Sequence, residues 1–326
     1  MDLVTFGEAM LRLTPPDSQT LEKTTSLDVY VGGAELNVAV AAAKLGAQTR
    51  WVSRLPENPV GRMIANRASE QGVDVSCVAW TREGRAGLYF VEVGAEPGTT
   101  NVTYDRSGSA MARMGRGMID WPRALSDAKW FHVSGITPAL SESAAMAMVE
   151  ALQAAEHLGL TISYDLNFRP KLWRPERARA AQETLLRYVD VLIASEDGAK
   201  LVFNAADDSA EDLAHGLQTR YQIPAVVITV RNSKQTRSAS WGALAIADGR
   251  LHRAPTMACE VLEPIGAGDA FSAGLIYGRL RGEPWDSAAR YGVALAALKH
   301  GTAGDFSWSS LEDMKQAVER AAVAQP

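Results

Sequence analysis

The residues best suited to chemistry lie late in the chain, in EPIGAGDAFSAGLIYGRL at positions 263–280. Gly266, Ala267 and Gly268 are small, and an apolar helix begins just after them. A glycine-rich turn entering a helix points backbone N–H groups outward at the positive end of the helix dipole. Such a turn can hold a phosphate, or the charge that develops on a phosphoryl group during transfer. Asp269, at the helix start, reads as an ionised acceptor placed to take a hydroxyl proton. The same residues also suit an ordinary capped helix start, since Asp and Gly are common there.

Three more stretches carry candidate groups. In VGGAELNVAVAAAKLG, residues 31–46, a glycine pair lies between an apolar run and an Ala-rich helix, with Asn37 one turn into it. Glycine lets a ligand approach the backbone closely, although the pattern alone equally describes a strand-to-helix turn. In YDLNFRPKLW, residues 164–173, Asp165, Asn167 and Arg169 alternate after an apolar strand and would project to one side of an extended chain. The carboxyl end of a strand in an open α/β sheet is where ligands bind, and an arginine there offers a planar fork for a carboxylate or phosphate. In NVTYDRSGSA, residues 101–110, Tyr104 and Arg106 would face the same way, as a hydroxyl donor and a second cation or as an exposed strand pair.

Positioning these groups requires a scaffold, and the apolar runs supply one. Leu3–Phe6, Trp51–Ser53, Lys129–Val133, Leu160–Asp165, Val189–Ala194 and Ala225–Val230 read as buried strands. Between most of them lie helical stretches such as Ala34–Leu45, Ser141–Leu158 and Pro175–Tyr188, with Ala270–Leu280 and Ser287–Lys299 late in the chain. The alternation predicts an α/β sandwich with a central, mainly parallel sheet. Segments at about 10–31 and 86–106 break it. They are rich in Thr, Val and Tyr and read as one small β lid inserted in a single domain over residues 1–326, with two surface loops as the alternative.

Composition excludes several classes. At 47% hydrophobic and 22% charged the chain is ordinary for a globular protein. A net charge of −5 without a basic block argues against a nucleic-acid partner. No apolar run approaches the roughly 18–20 residues that span a bilayer, and MDLVTFGEAML lacks the basic flank of a signal peptide. Cys77 and Cys259 have no CxxC spacing, which disfavours a zinc site or a disulfide framework and fits a reducing cytoplasm.

Taken together and in this order, the four stretches resemble the ribokinase-like (PfkB) family of carbohydrate kinases, from Val4 to about Val318. The resemblance implies a ribokinase-like αβα sandwich with a β lid, often used for homo-oligomer formation. It implies ATP and Mg²⁺ as cofactors, with a monovalent cation as a further candidate. Gly266, Ala267 and Gly268 would form the anion hole, and Asp269 would be the base. Gly33, Ala34 and Asn37 would contact the sugar. DLNFRPKLW, the Tyr104–Arg106–Ser109–Ala110 pattern and LKHGTAGDF at 298–306 are similar to 2-keto-3-deoxygluconate kinases. That likeness places Tyr89, Tyr104, Arg106 and Arg169 at the substrate, with Asp305 on its outer side. Two arginines suit an acid sugar, whose carboxylate they would neutralise.

The sequence departs from the family in three places. Glu263 stands where Asp is usual before the turn, which would shift a nearby cation site. The family's Asn-x-x-Glu pattern falls on Ser195 to Gly198, leaving Glu196 and Asp197 as metal-side candidates. The nucleotide loop reads TVRNSKQTRSASWGA from Thr229 to Ala243, a basic insert with Arg231, Lys234 and Arg237 that would close over ATP or stay solvated. Asn167, Thr229 and Arg231 complete the nucleotide-side candidates. The expected activity is ATP-dependent phosphorylation of a small sugar acid. Phosphorylation of a neutral sugar such as fructose, or sugar binding with weakened catalysis, are the alternatives.

Overall fold

The computed structural model describes residues 1–93, 100–235 and 238–323. In chain order its strands are β1 (Leu3–Phe6), β2 (Met10–Thr14), β3 (Asp28–Gly32), β4 (Thr49–Val52), β5 (Arg54–Pro56), β6 (Val73–Asp74), β7 (Ala79–Thr81), β8 (Gly87–Glu92), β9 (Asn101–Asp105), β10 (Trp130–Ser134), β11 (Thr161–Asp165), β12 (Val191–Ser195), β13 (Ala225–Gln235), β14 (Ser238–Ala247) and β15 (Arg250–Glu260). Nine of them form the central sheet, in the order β15-β14-β13-β12-β11-β10-β1-β4-β6. Pairing is parallel from β13 through β6 and antiparallel among β13, β14 and β15.

The central strands are short and apolar because both of their faces are covered. In β1 and β10 every residue is buried, and successive side chains enter opposite layers. Val4, Phe131, Leu192 and Val226 join one apolar cluster with Met148, Leu152 and Leu186. Leu3, Trp130, Ile193 and Val227 join the other, with Val38, Phe271, Ile276 and Leu295. Helices Glu142–His157 and Pro175–Leu186 therefore cover one face, and Ala34–Lys44, Ala267–Leu280 and Trp285–Lys299 cover the other. Alanines are frequent in the second layer. The backbone of Gly274 meets that of Tyr291 so closely that a Cβ would overlap it.

The two polar-alternating segments do form a separate sheet, of order β3-β2-β8-β9. Arg12 and Tyr89 are cross-strand partners, as are Tyr89 and Tyr104. The described parts of the basic insert are two antiparallel strands. Thr229 pairs with Ala243 and Arg231 with Trp241, so this stretch extends the main sheet.

Candidate active site

A cavity of about 440 Å³ opens across the carboxyl ends of the parallel strands. Its floor follows the strand order, from Thr229 and Arg231 on β13, through Ser195 on β12 and Asp165 on β11, to Glu8 beyond β1. The lid closes the β1 side with Met10, Tyr89, Val102 and Tyr104. Gly266, Gly268 and Asp269 line it from the start of helix Ala267–Leu280. Ala267 is buried in the core and is not part of the lining.

The local chain explains the turn. Gly266 is left-handed, at φ 86°, and a Cβ there would overlap the Asp305 carbonyl. No side chain caps this helix, so its first-turn N–H groups stay available to a ligand. Gly268 has open space where a side chain would be. Asp269 is buried, and Asn37 donates to its Oδ2 at 2.7 Å. Burial raises the carboxyl to about 6, against the Asn37 hydrogen bond and the charge of Arg169. Desolvation thus outweighs the helix dipole, although the group is still mostly ionised at neutral pH.

Several expectations from the sequence need correction. Asp165, Asn167 and Arg169 do not share an extended chain, because β11 ends at Asp165 and Asn167 is left-handed, at φ 36°. The Asp165 carboxylate folds that turn by accepting from the Asn167 N–H at 3.0 Å. All three still reach the cavity. Burial is the main cause that raises the Asp165 carboxyl to about 7.

Arg106 is not a free cation. Both its Nε and Nη2 donate to Glu8 Oε2, at 2.8 and 2.5 Å, in a buried pair. Ser109 donates to the other oxygen of Glu8. Arg169, by contrast, is exposed at the cavity and makes no ion pair among the described residues. Asp305 accepts from Tyr89 and, at 3.0 Å, from Arg12 Nη1. It is buried where lid and core meet, and it also lines the cavity.

The glycine pair has a packing cause. A Cβ at Gly32 would overlap Asp305 and the Tyr89 hydroxyl, and one at Gly33 would overlap the Glu8 carbonyl. Asn37 anchors the helix start by accepting from the Gly33 N–H at 3.3 Å, and Ala34 is buried at the cavity edge.

The three metal-side candidates do not converge, and no group of three His, Cys, Asp or Glu that could hold a metal occurs among the described residues. Glu263 pairs with Arg12 at 2.5 Å in the buried core, and Glu196 pairs with Lys200 at 2.8 Å. Asp197 sits in the first turn of helix Glu196–Phe203, whose N-cap is Ser195. Of the carboxylates in the lining, Glu8 and Asp305 are taken by arginines, which leaves Asp165 and Asp269. Magnesium commonly takes one or two carboxylates and fills its shell with water and substrate phosphates. This donor set fits that habit. The side chain of Lys234 and all of Arg237 lie outside the described residues.

Sequence reasoning missed Glu8, Arg12, Glu35, Lys299 and His300. Glu35 is fully buried; Ser134 donates to it through backbone and hydroxyl, and burial raises its carboxyl to about 7. His300 accepts from the Trp241 indole at 2.8 Å. Burial lowers it to about 4, so the neutral ring can accept there. The available signal was positional: Arg12 sits between two leucines in a short strand, and Lys299–His300 ends an Ala-rich helix.

The comparisons with known proteins agree with this architecture. Residues 1–310 match the family described as pfkB family carbohydrate kinase. A 2-dehydro-3-deoxygalactonokinase of Haloferax volcanii is 40% identical over 308 residues, covering 94% of this chain and 93% of its own. A 2-dehydro-3-deoxygluconokinase of Thermoproteus tenax is 30% identical, over 94% of this chain and 90% of its own. The crystal structure of 2-dehydro-3-deoxygluconokinase from Thermotoga maritima has a TM-score of 0.94 at 36% identity, covering 98% of both chains. On sequence and on fold alike, this chain belongs to the pfkB family of carbohydrate kinases.

Proposed function

We propose that this kinase transfers the terminal phosphoryl group of ATP to a hydroxyl of a 2-keto-3-deoxy sugar acid, 2-dehydro-3-deoxygluconate or its galactose-series isomer. The carrying observation is Arg169, a cavity arginine with no ion pair among the described residues, across from a base and an open helix N-terminus. The names of the relatives point to the same substrate class.

In this reading the nucleotide lies over β12 and β13, against Thr229 and Arg231, and the acceptor lies under the lid near Tyr89 and Tyr104. Asn37 occupies Asp269 Oδ2, which leaves Oδ1 for the acceptor hydroxyl. As the new O–P bond forms and the bond to ADP breaks, the hydroxyl proton passes to Asp269. A carboxyl near 6 is a stronger base than an exposed one and is still ionised at pH 7. The first-turn N–H groups from Gly266 to Asp269 face the charge on the transferring group. Mg²⁺ bound with ATP would neutralise phosphate charge, and Asp165 would be the carboxylate that faces it. Arg169 holds the acid group of the acceptor.

Two further parts of the reading concern setting and assembly. A cytoplasmic site of action fits the ATP donor and two free thiols. Assembly of copies through the lid is testable by sedimentation. The deciding experiment for function is an ADP-release screen of sugar acids against neutral sugars. Turnover restricted to acids is expected; equal or better turnover of fructose would overturn the substrate assignment and leave the kinase.

A further inference from the structure

Behind the Gly266–Asp269 turn lies a buried charge cluster, which reaches the cavity only at Asp305. Arg12 reaches it from the lid and pairs with both Glu263 and Asp305, at 2.5 and 3.0 Å. One guanidinium thus serves two carboxylates, and the second cation is Lys299. Lys299 has no exposed surface, and its ammonium donates to the Thr302 carbonyl at 3.0 Å. It makes no ion pair among the described residues, yet Glu263, Asp305 and Asp269 all favour its charged form. Burial and Arg12 oppose them, leaving the ammonium near 8 and charged at neutral pH. The side chain passes directly behind the turn: a Cβ on Gly266 would lie 3.2 Å from Lys299 Cε.

We propose that Lys299 is a positioning residue that supplies, from within the chain, the monovalent positive charge behind the phosphoryl-holding turn, so that turnover needs no added monovalent cation. The resemblance to the family implies a cation site near Glu263, and the structure puts two side-chain cations, Arg12 and Lys299, there. Two carboxylates against Arg12 alone would leave one uncompensated buried charge, which is costly, and Lys299 brings the cluster to neutrality. Its neighbours are oxygens, one carbonyl and nearby carboxylates, which is the environment a small free cation would otherwise take. A tethered ammonium holds that place permanently. Its charge also favours the ionised form of Asp269, as a minor influence beside burial, Asn37 and Arg169. The inference rests on the reading of the turn as the phosphoryl holder.

The test compares KCl, NH4Cl and choline chloride at constant ionic strength. Wild-type turnover and melting temperature are expected to be the same in all three. Lys299→Met keeps the stem and removes the charge. In choline chloride its kcat should fall by about tenfold or more while KM for the sugar stays within about threefold. KCl or NH4Cl should restore part of that kcat and should raise the melting temperature of this variant only. A wild type that loses turnover in choline would overturn the proposal even if the variant does not fold. A variant with full turnover in choline would overturn it as well. Asp269→Asn, run alongside, separates the two readings: if it keeps turnover, the turn is misread; if it loses turnover and Lys299→Met does not, only the role of Lys299 falls.

Discussion

The cavity has two walls, and each carries an arginine that the sequence assigns to the same task. On the core wall Arg169 is exposed beside Asp165 and Asn167, and no carboxylate pairs with it among the described residues. On the lid wall Arg106 is buried and doubly bonded to Glu8. The remaining lid groups are similarly committed: Tyr89 to Asp305, and Arg12 to Asp305 and Glu263. Tyr104 stacks on Tyr89, with centroids 5.8 Å apart. The lid wall therefore offers a fixed shape, and the core wall offers charge that a ligand can still engage. An arginine's role follows from its partner, and the partner of Arg106 lies 98 residues away in the chain.

The largest expected effect is at the core wall. Asp269→Asn should lower kcat by about 10²–10⁴, the usual value of a general base, with little change in sugar affinity. More than half of wild-type turnover would remove Asp269 from the mechanism. Next is the pair of arginines. Arg169→Ala should lower kcat/KM for a sugar acid by about tenfold to 150-fold, since a hydrogen bond to a charged group is worth about 1.5–3 kcal/mol. Arg169→Lys should recover part of this, because a point charge cannot reproduce the fork. Equal losses on an acid and on a neutral sugar would assign Arg169 to ATP or to the fold.

The lid wall should respond in stability instead. Arg106→Ala leaves Glu8 buried and unpaired, a loss of about 3–5 kcal/mol in denaturant unfolding. The double variant Glu8→Gln with Arg106→Gln should be less destabilised than Arg106→Ala alone. If Arg106→Ala instead folds normally and loses only sugar acids, the contrast between the walls is wrong.

The smallest effect is a divergence between stability and turnover with pH. Burial raises Asp269 to about 6 and both Asp165 and Glu35 to about 7. The folded chain then binds more protons than the unfolded chain between the ordinary carboxylate range and pH 7, so stability falls as pH rises through that window. With Asp269 as the proposed base, turnover should rise through about pH 6 over the same span. Melting temperature and kcat measured on one pH series check this. In Asp269→Asn the decline in melting temperature should be shallower; an unchanged decline would mean that Asp269 is not the desolvated group.

Much of the fold was legible because its signals are local. Apolar runs gave β1, β10, β11 and β12 to within two residues, since a strand covered on both faces must be apolar throughout. The Gly266–Asp269 turn was legible for the same reason: a left-handed residue before an uncapped helix is written in consecutive positions. The strand pairing in the Thr229–Ala243 stretch was not legible, because cross-strand hydrogen bonds and not local composition decide it. Glu8, Arg12 and Lys299 escaped because nothing near a charged residue in the sequence announces which distant charge will meet it. For the same reason the Arg12 partner of Glu263 could not be foreseen.

One of those distant pairings also sets an order in time. Arg12 meets Glu263 and Asp305, partners 251 and 293 positions later. A ribosome adding about 5–20 residues per second needs roughly 15–60 s to go from the first to the last of them. During that interval β2 can pair with β3 and β8, but its arginine has no counterion and the strand cannot be drawn into its final burial. The Gly266–Asp269 turn, proposed to hold the phosphoryl group, is made within the same late stretch as both counterions. Catalytic competence therefore arrives in a single late step, when the newest part of the chain captures one of the oldest.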